Sequence, residues 1–261
     1  MMKSKLLILL SWCLLAAGTN CLGQDSTKHQ SIFPSGIGLQ IGVGHLALRD
    51  EHISNEKYAG SSSWFALHWS RYHETYGFRI GMLYQKASSV RNYNISAEVT
   101  QADFNLVNIY PVGTFDLFEK RAFVSLGPEA DVLFYFRRQN IAQNTDAEPN
   151  VYQSAAWLFS LGGRAEAILP VSVEFQVEGV LQLSLVSLGG GTGNTQQNST
   201  GMRMLTPFAG MHGCAEIGVR WYPIESVSLR AGYTLDVTRI DSWNYLLLSS
   251  DNAIIQLSYH F

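Results

Sequence analysis

The chain has 261 residues, of which 46% are hydrophobic and only 15% charged, with a formal net charge of −3. A charged share below the ~25% of ordinary globular proteins suits a molecule with a wide surface turned to lipid. The lack of a basic excess argues against nucleic acid as a partner, and Cys214 beside two cysteines near the N-terminus supplies no disulfide framework.

The N-terminus reads as a secretory signal. Lys3 and Lys5 form its basic end, Leu6–Ala17 its apolar core, and Cys21–Gly23 places small residues at a cleavage site after Gly23. The expected organisation is a signal peptide over 1–23 and one barrel domain over 24–261. An alternative is acylation of Cys21, although Asn20 is not the small residue expected before such a cysteine. Beyond the leader no run of ~18 apolar residues is available for a spanning helix. A membrane protein without one must satisfy its backbone as a closed barrel.

After a polar lead-in over 24–34, the chain alternates with a period of two. Strands are expected over Gly36–Ala47, Ser62–Tyr72, Thr75–Lys86, Glu98–Phe115 and Ala122–Phe136. Five more follow over Ala155–Ile168, Val171–Leu185, Leu205–Tyr222, Ser226–Thr238 and Ala253–Phe261. The fourth alternates less cleanly, because Phe104 and Leu106 share one face while Val107 and Ile109 share the other, which predicts a bulge near 106–108. Pro128 inside the fifth cannot donate to a ladder and marks a second candidate bulge. The last strand, AIIQLSYHF, sets Ala253, Ile255, Leu257, Tyr259 and Phe261 against Gln256, Ser258 and His260. It matches one tilted bilayer crossing of ~9–11 residues.

Connections alternate between long and short, with polar loops near 48–61, 87–96, 137–152, 186–204 and 240–250. Outer-membrane barrels show this asymmetry between outer loops and periplasmic turns. The predicted fold is therefore all-β: an antiparallel up-and-down transmembrane β-barrel of about ten strands, with eight as the runner-up. Outward aromatics near strand ends (Trp69, Tyr76, Trp157, Trp221, Tyr259 and Phe261) fit an interfacial girdle.

The inward faces collect Arg79, Asp103, Glu129, Asp131, Arg164, Glu166, Glu174, Glu178, Glu216, Arg220, Arg230 and Asp236. In a barrel this narrow such side chains fill the lumen and pair. The competing reading is a narrow polar pore, where the acidic excess favours cations. His68, His212 and His260 fall inward on separate strands, but no compact motif supplies a nucleophile and base. The glycines at 189, 190, 191 and 193 lack the Lys-Ser/Thr of a phosphate loop and read as an outer loop. The sequons at Asn94 and Asn198 carry no weight in a bacterial barrel.

The strings ADFNLVNIYPVGTF, RAFVSLGPEADVLF and IGVRWYPIESVSLRAGYTLD, with the terminal aromatic strand, resemble the small outer-membrane barrels of Bacteroidetes. The PorT-like group is the most similar. The resemblance implies the fold and the address, and maps no site residues onto this chain. By likeness to other barrels, Phe261 is the insertion signal read by the barrel-insertion machinery. The expected function is structural or interactive, with no enzymatic activity and no cofactor. The expected partners are outer-membrane lipid and other envelope proteins met through the outer loops. Two alternatives stay open: a narrow channel for small polar solutes or cations, and a soluble secreted barrel binding an apolar ligand.

Overall fold

A computed structural model of the chain describes residues 35–261 apart from 52–53, 74, 93–94, 141–152, 194–202, 207–208 and 242–244. The leader, the lead-in and the asparagines of both sequons lie outside the described residues. Ten long strands form the wall: β1 (Gly36–Asp50), β2 (Ser54–Tyr72), β3 (Gly77–Asn92), β4 (Ile95–Leu117), β5 (Lys120–Asn140), β6 (Gln153–Pro170), β7 (Phe175–Gly193), β9 (Gly210–Ile224), β10 (Val227–Asp241) and β11 (Tyr245–His260). A three-residue strand, β8 (Arg203–Leu205), pairs with the outer end of β7. Every pairing is antiparallel between neighbours along the wall. β11 closes the sheet on β1, in register from Gly36↔His260 to Asp50↔Leu246. The count is ten, which sets the eight-strand alternative aside.

The alternation read from sequence sets the two faces. On β1, Ile37, Leu39, Ile41 and Val43 are exposed outward; on β11, Ile255, Leu257 and Tyr259 are exposed beside them. Inward-facing Gln256, Ser258 and Arg230 are buried. Charge inside and apolar surface outside is the reverse of a soluble barrel, so the apolar-ligand reading is not what this wall provides. Trp69 meets Phe78 edge-on and Phe175 stacks on Trp221, giving an aromatic row near the end where both described termini lie. We call this the terminal end and the opposite one the outer end. Tyr76 stacks on His73 in the turn between β2 and β3.

Three expected outer loops are mostly strand. Only 51–53, 93–94 and 242–244 separate β1 from β2, β3 from β4 and β10 from β11. The reason is a change of sides. Nearer the outer end, the apolar residues of the same strands point inward: Leu46, Leu48, Val90, Val99, Leu133, Leu158, Ile240, Leu246 and Leu248 form one buried cluster. Polar residues such as Arg49, Lys86 and Arg239 take the outward face there. The strands thus continue past the outward apolar band as a wall that is polar outside and packed with an apolar core inside. In sequence those charged segments read as loops.

The irregularities also sit elsewhere than expected. β4 alternates without interruption through 106–108, so Val107 and Ile109 are simply buried apolar residues facing inward. The register shift in β4 lies at Pro111–Gly113. Pro128 keeps an unbroken register with β6, opposite Gly163. Beside it, a Cβ on Gly127 would collide with the main-chain oxygen of Asn108, so only glycine fits that close approach. A further shift between β6 and β7 lies at Leu161/Gly162.

Candidate functional site: the charged lumen

Side chains from nine strands meet inside the barrel around a cavity of about 150 Å³. Its part nearer the terminal end is an alternation of guanidinium and carboxylate groups. Glu178 on β7 accepts two hydrogen bonds from Arg220 on β9, from Nε at 2.5 Å and Nη2 at 3.0 Å. Arg230 on β10 lies 2.8 Å from the same carboxylate as an ion contact and also pairs with Glu216. On the adjoining strand β6, Glu166 accepts from Arg79 of β3 at 2.8 Å and from Arg164 of its own strand at 2.7 Å. Arg164 also stands 3.7 Å from Glu129. Tyr72 accepts from Arg79 at 2.9 Å. Two-pronged guanidinium–carboxylate contacts of this kind fix orientation as well as charge.

One layer outward the sign changes. Asp103, Asp131 and Asp236 face a single imidazole, that of His212. Its Nδ1 is 3.1 Å from Asp131 and its Nε2 is 2.9 Å from Asp236. Oδ1 of Asp103 and both oxygens of Glu129 accept no hydrogen bond from the described protein groups. Gln85, Ser62 and Asn252 form a neutral hydrogen-bonded set nearby. Above them the apolar cluster begins. Leu205 of β8 packs into it, with Gly189 and Gly210 leaving it room.

Eleven of the twelve lumen residues named from sequence face inward. Glu174 does not. The chain turns over 171–174 before β7 begins at Phe175, and Glu174 is exposed in that turn. Parity alone carried it into the strand. The sequence reading missed a second buried pair, because its members fall in segments read as loops. Asp50 accepts from Ser154 at 2.6 Å and from Tyr135 at 3.2 Å, and Arg137 lies 3.5 Å away. Arg137 is fully buried, its guanidinium 4.2 Å above the ring of Tyr58. The available signal was again parity: Asp50 continues the inward series of β1, and Arg137 that of β5.

His260 is not arranged as a general base. Ser228 meets Nε2 of His260 at 2.8 Å, but Ser228 is fully buried and already accepts from Arg220 at 3.0 Å. His260 Nδ1 has no hydrogen-bond partner among the described groups, so no carboxylate orients the ring. A base needs that orienting partner to activate a hydroxyl. Cys214 lies 3.4 Å from the Thr234 hydroxyl within the same lumen. Among the described residues, no three His, Cys, Asp or Glu side chains are grouped as a metal site.

No protein-family model matches the chain, and no curated protein matches it in sequence. Among solved structures, it is similar to the outer membrane protease OmpT from Escherichia coli, with a TM-score of 0.51 and 8% identity over 90% of this chain and 100% of that one. It is also similar to the translocator domain of the autotransporter NalP from Neisseria meningitidis, with a TM-score of 0.52 and 10% identity over 100% of this chain and 98% of that one. At such identities the likeness shows the fold alone, a closed antiparallel β-barrel of the outer-membrane kind.

Proposed function

We propose that this chain is an exported outer-membrane β-barrel with a structural or interaction role and a closed lumen. Residues 1–23 act as its signal peptide and Phe261 as its insertion signal. The likeness of its strand strings to the PorT-like group supports an assignment there, and no activity is carried over with it.

The observation that carries the reading is the exchange of faces along the strands. The apolar side is outward from Ile37 to Val43 and inward at Leu46 and Leu48. The first stretch suits lipid, and the second closes the bore with packed side chains where the wall stands in water. Below that closure, paired arginines and glutamates occupy the width of the lumen. The polar outer wall and the segments at 141–152 and 194–202 are then the parts that meet envelope partners.

Conductance in a planar bilayer tests the closed lumen. The expected result is no ion current above that of the bare membrane. A second reading, a narrow cation path, draws on the carboxylate oxygens of Asp103 and Glu129 that accept no hydrogen bond from the described groups. Steady cation-selective current, reduced in an Asp103→Asn variant, would establish that reading instead. N-terminal sequencing of the mature protein checks export, with Gln24 expected as the first residue.

A further inference from the structure

Near its outer edge, the wall of β4–β7 differs from the rest. One register row there runs Tyr84, Ala102, Phe134, Trp157, Gly190 across five strands. The next row outward runs Lys86, Thr100, Phe136, Ala155. On β3 that row has already reached a charge, while on β5 it still carries a phenylalanine. The apolar face therefore climbs higher at β5 and β6 than on β3.

This raised patch is hollow. Phe134, Phe136 and Trp157 border a depression of about 270 Å³ floored by small residues, Gly190, Gly191 and Ala155 among them. Phe134 is 51% exposed and Phe136 is 43% exposed. Polarity returns one step above. Arg138 is the next outward position on β5, and it is exposed. The carboxylate across from it, Glu98, is held by Lys86 at 2.5 Å.

We propose that this depression seats an acyl chain of an anionic, phosphate-bearing lipid of the outer leaflet, with its phosphate at Arg138. The inference rests on the membrane placement argued above. The depression is continuous with the lipid-facing band, so a chain enters it without leaving the apolar phase. Glycines and alanine between aromatic walls leave a slot of chain width. A guanidinium at the upper rim matches the charge and geometry of a phosphate. It stands where the apolar surface ends, which is where a headgroup begins.

Tryptophan quenching in vesicles tests this. The mature chain from Gln24, with Trp69→Phe, Trp221→Phe and Trp243→Phe, keeps Trp157 as its outward reporter, beside inward Trp64. A companion keeps Trp221 and carries Trp157→Phe. Both are placed in dioleoylphosphatidylcholine vesicles doped with brominated-chain phosphatidic acid, or with brominated-chain phosphatidylcholine as the control. The expected result is half-quenching of Trp157 at a several-fold lower mole fraction of phosphatidic acid than of phosphatidylcholine. Arg138→Gln should abolish that preference, and Trp221 should show none. Equal quenching by both lipids would overturn the proposal and leave ordinary lipid contact. Self-cross-linking through a cysteine at position 136, with Trp157 shielded from both lipids, would overturn it in favour of a second copy. If neither Trp157 nor Trp221 is quenched, the membrane placement itself fails.

Discussion

His212 on β9 meets Asp236 on the neighbouring strand β10, with Nε2 2.9 Å from the carboxylate, while its other ring nitrogen faces Asp131 on β5 at 3.1 Å. Ionised carboxylates only accept, so the ring carries hydrogen on both nitrogens when both aspartates are ionised. It joins three strands. His212→Ala leaves two buried carboxylates without their cation and should cost about 3–5 kcal/mol of unfolding free energy. Replacing the whole set by neutral groups (His212→Gln, Asp131→Asn, Asp236→Asn) should recover most of that loss. Urea titration of the refolded barrel in detergent checks both, and a silent His212→Ala would remove the imidazole from the account.

Glu178 serves two arginines, so its loss should exceed that of either partner. Glu178→Gln leaves Arg220 without its carboxylate partner and Arg230 with Glu216 alone, and should lower the temperature at which the barrel loses its compact gel mobility. A double-mutant cycle on Arg220 and Glu178 should show coupling of about 1–3 kcal/mol. Additive effects would mean that the lumen is solvated enough to screen the pair.

The outer closure should behave as a conventional core. Leu133 and Leu158 are fully buried there. Truncating either to alanine should cost about 2–5 kcal/mol. Leu133→Ala combined with Leu158→Ala should also raise single-channel current, since the wall stays closed while the bore loses packing. Destabilisation without current would place the barrier to ions lower, among the arginines.

The β4–β5 turn offers a gain. Phe118 and Glu119 both have positive φ, 51° and 62°, a region that branched and bulky side chains avoid. Two such residues in sequence form the mirror-image hairpin turn that favours Asn-Gly. Phe118→Asn with Glu119→Gly should raise stability by about 1 kcal/mol or more. Unchanged urea midpoints would show that the turn is not strained in solution.

The period of two in the sequence determined most of the wall. It determined which residues of β1, β7 and β11 face outward, and that Arg79, Asp131, Arg164, Glu166 and Arg230 turn inward. Successive side chains on a strand must point to opposite faces, so parity needs no partner strand to be read. It also carried the count of ten. Strand ends are not set by parity, and Glu174 was misplaced for that reason: a turn at 171–174 interrupts the series without breaking the pattern.

Only the tertiary structure decided what each inward residue meets. Parity gives the face but neither the height in the bore nor the position around it, and those follow from the stagger of ten paired strands. Asp50 and Tyr135 lie 85 residues apart in sequence and are hydrogen-bonded in the outer core. The same stagger brings Asp131, His212 and Asp236 to one level. The exchange of the apolar face from outside to inside was likewise hidden. A charge on an outward position reads alike in a loop and in a wall standing in water, and closure of the barrel tells them apart.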